Sequence, residues 1–144
     1  MFYMSEYLES NREEYYDRLL AISKDKAWTA WVVFFLKGVK AQAENNLKKA
    51  MAIHNLYETQ KPKAIEASHS QYAVFALDWI FSRPVFKASD FVANVGIPVP
   101  SAKRQISVLR KLGILKCLQE GSGRRSAIYA ACELLNIAEG YEAF

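Results

Sequence analysis

The side chains with the clearest chemistry are basic and hydroxyl groups in the last third of the chain. They are Lys103, Arg104, Ser107 and Lys111. Their spacing of one, three and four residues would put all four on one face of a helix. Such groups on a helix face bind phosphates and guanine edges, whereas none of them in this setting carries out a reaction. The pattern therefore indicates a binding site for a polyanion.

The distribution of charge along the chain supports this interpretation. The 144 residues have a formal net charge of +4. Residues 1–96 hold 12 basic and 11 acidic groups, residues 97–126 hold seven and one, and residues 127–144 hold none and three. One stretch of about thirty residues thus carries the positive field, and a field of that kind attracts nucleic acid.

Roles within this stretch follow from the position of each residue. Arg104 is the first choice for a contact with a base, because arginine pairs with guanine O6 and N7 in the major groove. Lys103 and Lys111 suit phosphates, as does Ser101, which lies near the predicted start of the helix where backbone amides point outward. Arg124 and Arg125 follow Gly121 in a predicted hairpin loop, over an adjacent minor groove or the DNA backbone.

The elements around these residues occur in a recognisable order. A helix is predicted over residues 70–81, then an extended Val85-Phe86, a short helix capped by Gly96, and a helix from Pro100 to Leu112. Strand-like runs at 114–120 and 126–131 and a final helix over 132–139 follow. This is the order of a winged helix-turn-helix, so we expect a mainly α fold with a small two- or three-stranded β-wing.

A helical wheel of residues 100–113 separates an apolar side from the basic side. The residues predicted to face the interior are Ala102, Ile106, Leu109, Leu112 and Gly113. A solvated helix face beside a polar hairpin would show the same polar positions. The joint pattern of basic helix and basic hairpin favours nucleic-acid binding over that alternative.

The N-terminal half is predicted to be helical. Ser10 to Glu13 has the spacing of a capping box, so a helix should begin there. A second helix is predicted from about Trp28 to Glu58, and the polar Gln60-Lys-Pro62-Lys segment should end it. We therefore predict two domains, residues 1–62 and 63–144.

Several classes of chemistry have no candidate residues. Cys117 and Cys132 lack the paired spacing of a zinc site and are too few for a disulfide framework, so they are expected to be reduced core thiols. The apolar run from Trp28 to Leu36 is too short to cross a bilayer. We expect no metal, no cofactor, no membrane contact and a cytoplasmic location.

Two segments together resemble a known family. Residues 3–20, with an Asn11-Arg12 pair and a Tyr15-Tyr16 pair, are followed by Trp28-x-x-Trp31 before an apolar helix. This arrangement resembles the segment after the active-site motif of Fic family proteins, many of which continue into a C-terminal winged helix. The resemblance implies that residues 1–62 are a helical remnant of a Fic fold.

The resemblance also shows what this sequence lacks. Fic enzymes transfer AMP from ATP to protein hydroxyls with a His-Pro-Phe motif and an anion-binding loop. In this sequence His54 and His69 are followed neither by Pro-Phe nor by such a loop. We therefore expect no catalytic residue and no enzymatic activity in this chain, with ATP and Mg²⁺ belonging only to the intact family enzyme. By resemblance alone, Tyr16 could contact a nucleotide base.

Three hypotheses follow from these observations. The first is a winged-helix module that binds double-stranded DNA. The second is the non-catalytic C-terminal part of a Fic adenylyltransferase, whose winged helix contacts protein. The third is a dimerisation module. Because the apolar face of Trp28 to Leu36 needs a partner, a homodimer or a complex with the missing N-terminal Fic half is expected.

Overall fold

The computed structural model describes residues 4–140, which are mainly helical and contain one small antiparallel sheet. The helices are α1 (Met4–Ser10), α2 (Arg12–Asp25), α3 (Trp28–Ser68), α4 (Ala73–Ser82), α5 (Ala88–Asn94), α6 (Val99–Lys111) and α7 (Cys132–Glu139). The strands are β1 (Val85–Lys87), β2 (Lys116–Gln119) and β3 (Ile128–Ala130). The predicted fold class is confirmed, with three strands in the sheet.

The chain forms two compact units that divide inside α3. The first ends at Met51 and the second begins at Ala52. The sequence predicts a boundary between residues 62 and 63, at the expected end of the long helix, whereas the compact units divide between Met51 and Ala52.

The first unit consists of α1, α2 and the N-terminal part of α3. A close approach between α1 and α3 is possible because residue 38 is a glycine: a Cβ there would lie 2.6 Å from the ring of Tyr7. The Tyr7 ring packs on Phe34, which is buried, and Tyr15 of α2 packs on Trp31 at 5.6 Å between ring centroids. Aromatic contacts therefore hold these helices together.

The predicted capping box is wrong. Ser10 is the last residue of α1, and its hydroxyl donates to the Glu6 carbonyl at 2.8 Å instead of accepting from a following amide. Asn11 precedes α2 without a side-chain capping bond, since its amide nitrogen donates to the Tyr7 carbonyl. The Ser10 hydroxyl that a capping box requires is therefore already bonded within the short helix α1.

The predicted helix end near Pro62 is also wrong, because α3 continues to Ser68. Leu56, Gln60, Ala64 and Ser68 recur every four residues, and each is at most 8% exposed. Proline inside a helix costs about 3 kcal/mol through its missing N–H and its ring. Burial of this stripe in the second unit offsets that cost.

The second unit carries the predicted winged helix-turn-helix order, α4-β1-α5-α6-β2-β3. Its strands pair in the order β1-β3-β2, and both pairings are antiparallel. Trp79 of α4 meets Phe86 and Phe91 edge to face, at 5.0 and 5.1 Å between centroids. These rings and Leu77, Ile80 and Leu109 form the centre of the core.

Two glycines lie just after the ends of α5 and α6. Gly96, after α5, has a φ of +74°, and Gly113, after α6, has a φ of +75°. Glycine populates this left-handed region without the Cβ penalty that other residues meet. The turn into α6 and the exit toward β2 therefore match the predicted positions.

Among the helices of residues 4–140, none combines the length and apolar character that crossing a bilayer requires.

Candidate nucleic-acid interface

Helix α6 presents its predicted basic face outward. Ala102, Gln105 and Leu109 are at most 1% exposed and hold the helix against the core. The opposite side carries the exposed residues Lys103, Arg104, Ser107 and Lys111. A helix with this face has the diameter that the major groove of B-DNA admits.

The apolar side of α6 differs from the wheel at two places. Leu112 is 39% exposed and Gly113 is also exposed, because α6 ends at Lys111 and these two residues form the turn before the buried Ile114 and Leu115. Gln105 is buried instead, and its Oε1 has no hydrogen-bond partner in the described part of the chain. The buried sector is thus centred on Ala102, Gln105 and Leu109.

Ser101 lies in the first turn of α6, as predicted, and its side chain is half-buried. Pro100 occupies the same turn, where a missing N–H leaves no helical bond unmade. The position is compatible with a phosphate contact, although Ser101 is less accessible than Lys103.

Arg104 is held in a way that the sequence did not predict. Its Nη2 donates to the carbonyl oxygen of Ser68 at 3.2 Å, and Ser68 is fully buried at the end of α3. A guanidinium beside the last carbonyls of a helix satisfies an acceptor and complements the helix dipole. The side chain chosen for a base contact therefore already has a partner within the protein.

Arg110 does not belong to the outward face. Its Nη2 pairs with Glu120 at 3.3 Å, and its guanidinium lies 5.4 Å from the ring centroid of Tyr129. The single acid of residues 97–126 is therefore used to tie α6 to the sheet. The other basic residues of 97–126 therefore have no acidic partner from within this segment.

The wing brings three cations to one hollow. Ser122 and Arg125 close the hairpin through two backbone bonds of 3.1 and 2.9 Å. Beside it, Lys87, Arg124 and Arg125 line a hollow of about 500 Å³ together with Ser89 and Gln119. None of the three cations has an ion pair among the described residues. Three unpaired cations around one hollow suit a phosphate group.

Lys87 was missed by the sequence reasoning because it lies outside the basic stretch. It reaches the wing because β1 pairs with β3, with Lys87 opposite Ile128. The only available signal was the extended Val85-Phe86 segment, whose continuation by one residue makes Lys87 part of the sheet.

Tyr16 lies in the first unit, on α2. It is 54% exposed, its ring is 5.2 Å from that of Tyr15, and the guanidinium of Arg12 lies 5.8 Å from its centroid. With Ser5, Leu8 and Glu9 these side chains surround a hollow of about 290 Å³. The ring is accessible, and the base contact suggested by resemblance stays a prediction.

Other reactive side chains of residues 4–140 are scattered. No three His, Cys, Asp or Glu residues among them are placed to hold a metal ion. Cys117 and Cys132 are free and half-buried. Desolvation, together with a hydrogen bond to Glu120, raises the pKa of the Cys117 thiol, which lowers its reactivity as a nucleophile.

No protein-family model matches this chain.

Proposed function

We propose that this chain binds duplex DNA through the winged helix of its second unit. The observation that carries the proposal is the outward basic face of α6 beside a wing hollow with three cations. Lys87, Lys103, Lys111, Arg124 and Arg125 make no ion pair within the described residues. Cations that the protein leaves unpaired on two neighbouring elements give the electrostatic term that dominates affinity for DNA.

The roles of individual residues follow from their partners. Lys103 and Ser107 point outward from the second and third turns of α6 and are the groups for base edges in the major groove. Lys111 and the wing hollow suit backbone phosphates, which fix register and orientation without reading sequence. Arg104 lies on the outward side of α6 but stays bonded to the Ser68 carbonyl, so its role is to hold α6 to the end of α3.

A salt series with a short duplex tests the proposal. Binding of wild-type protein should weaken as salt rises, with a logarithmic slope of about −0.9 for each phosphate contacted. Lys111→Ala should reduce that slope by about one contact. Lys24→Ala, which removes the same charge from α2, is the matched control and should leave the slope unchanged. Absence of binding even at low salt would refute the proposal.

A second candidate function is supported by the first unit. Trp28, Val32, Leu36 and Leu47 of α3 are between 48% and 61% exposed, so the helices of the first unit leave these apolar residues uncovered. Exposed apolar surface of this kind marks protein interaction sites. This observation favours the non-catalytic part of a Fic adenylyltransferase, or a dimerisation module.

Two measurements separate these possibilities. Light scattering at micromolar concentration should show a dimer if a second copy covers α3, and Leu36→Glu should then return the protein to a monomer. A monomeric wild-type protein would refute the dimer and leave a different protein chain as the expected partner. Labelled ATP should give no transfer to the chain itself, and any autolabelling would contradict the expected absence of catalytic groups.

A further inference from the structure

A third hollow lies between α5, the first half of α6 and the base of the wing. Its volume is about 690 Å³, within the range of small-molecule sites. The bed is apolar and is formed by Val92, Ala93, Val99, Ile106 and Tyr129. Ile106 and Tyr129 are buried, so the packing of the core fixes their positions in this lining.

The polar side chains that line this hollow are few and include one lysine and two serines. Lys103 is the one charged residue among those that line it, and it has no ion pair in the described part of the chain. The Ser89 amide donates to the Ser126 hydroxyl oxygen at 2.9 Å, which engages Ser126. The Ser89 hydroxyl makes no hydrogen bond among the described residues and is available as a donor. An ammonium and a hydroxyl at the edge of an apolar bed favour an anion with an apolar body.

We propose that this hollow binds a small carboxylate with an aromatic or aliphatic body, its carboxylate against Lys103 and its body on the apolar bed. A DNA phosphate gains little here, because the lining offers it one cation, whereas the wing hollow offers three. A neutral ligand of the same shape would leave Lys103 without a charged partner. The charge and the apolar lining together therefore specify the ligand class.

The site also has a consequence for DNA binding, and this part rests on the proposed function. Lys103 belongs both to the hollow and to the outward face of α6, so it cannot serve a carboxylate and DNA at the same time. Binding of one ligand should therefore weaken binding of the other by the same factor, since coupling between sites is reciprocal. The hollow would act as an effector site for the winged helix.

The ligand arm of the test uses no DNA. Benzoate is titrated into the full chain and followed by amide and methyl NMR shifts, with benzamide as the neutral analogue. Shifts should centre on Val92, Val99 and Ile106, and benzoate should bind about tenfold more tightly than benzamide, a difference of about 1.4 kcal/mol. Equal affinities, or no shifts at millimolar benzoate, would overturn the proposal.

Three variants locate the site. Lys103→Gln should abolish the preference for benzoate over benzamide. Lys111→Gln, which removes the same charge from the same helix outside this hollow, should preserve it. Ala93→Phe, at an exposed position of α5, should fill the hollow and block both ligands while leaving Lys103 in place. Retention of benzoate binding in Ala93→Phe would place the ligand elsewhere and refute the assignment.

The DNA arm measures whether benzoate weakens duplex binding at constant ionic strength. It should do so for wild type and Lys111→Gln but not for Ala93→Phe. If the chain bound no duplex at all, the proposed function would fail while the ligand arm still reported on the hollow. Duplex affinity that benzoate leaves unchanged in a wild-type protein shown to bind benzoate would overturn the effector role.

Discussion

Replacing Arg104 with alanine separates a structural role from a role in reading DNA. In the structure the guanidinium donates to the carbonyl of Ser68 at 3.2 Å, and residues 4–140 make no other hydrogen bond to that carbonyl. Ser68 is fully buried, so the substitution leaves a buried acceptor without a donor. Such a loss costs about 1–3 kcal/mol, and a cation at a helix C-terminus adds about 0.3–1 kcal/mol.

We therefore expect Arg104→Ala to lower the free energy of unfolding by about 1–3 kcal/mol. Lys103→Ala is the matched control, because it removes a neighbouring cation that has no hydrogen bond or ion pair within the described residues. Its effect on unfolding should stay within about 0.5 kcal/mol. Urea denaturation followed by far-ultraviolet circular dichroism gives both values from the shift of the midpoint.

The effects on DNA should be reversed. At a temperature where both variants are folded, Lys103→Ala should weaken binding and reduce the salt slope by up to one contact. Arg104→Ala should keep the base preference of the wild type. If the two variants unfolded alike while Arg104→Ala relaxed preference at one base position, Arg104 would leave Ser68 on binding, and the assignment made here would be refuted.

Three further perturbations test how the helices are held. Pro62→Ala should raise the free energy of unfolding by about 2 kcal/mol, because it removes an interior proline costing about 3 kcal/mol and releases up to about 1 kcal/mol of unfolded-state entropy. Tyr57 donates to Asp78 at 2.6 Å, which raises the pKa of Tyr57 to about 12. The stability that this bond gives is complete below pH 10 and is lost between pH 10 and 12, so the difference between wild type and Tyr57→Phe should vanish over that window. Gly38→Val should cost about 1–3 kcal/mol by overpacking against Tyr7, measured as faster hydrogen exchange of the α1 amides.

Each of these has an outcome that contradicts it. A destabilised Pro62→Ala would mean that the buried stripe of α3 requires the proline ring. A wild-type protein whose advantage over Tyr57→Phe persisted at pH 12 would exclude the bond to Asp78 as its source. Ala43→Val, at an exposed position of α3, is the control for Gly38→Val. Equal hydrogen exchange in the two variants would rule out the close approach of α1.

The winged part of the second unit, from α4 onward, was predictable because its signals are local. Glycine at 96 and 113 fixes where α5 and α6 end, and Pro100 sets the first turn of α6. The spacing of Lys103, Ser107 and Lys111 places them on one face whatever the rest of the chain does. Backbone preference and helical period act over a few residues, so the sequence specifies them directly.

The helices that precede α4 were less predictable because local signals there compete with packing. Ser10 has capping-box spacing, yet its hydroxyl bonds within α1. Pro62 favours a helix end, yet the buried positions around it keep α3 continuous. Burial of Leu56, Ala64 and Ser68 outweighs a local preference of about 3 kcal/mol, and only the folded arrangement determines that burial.

The sequence by itself determined the winged order of elements and the concentration of positive charge between residues 97 and 126. The tertiary structure decided which of those charges are available. It pairs Arg110 with Glu120, engages Arg104 at the end of α3, and brings Lys87 to the wing through strand pairing. Charge is a property of composition, whereas its availability depends on which groups distant segments bring within hydrogen-bond distance.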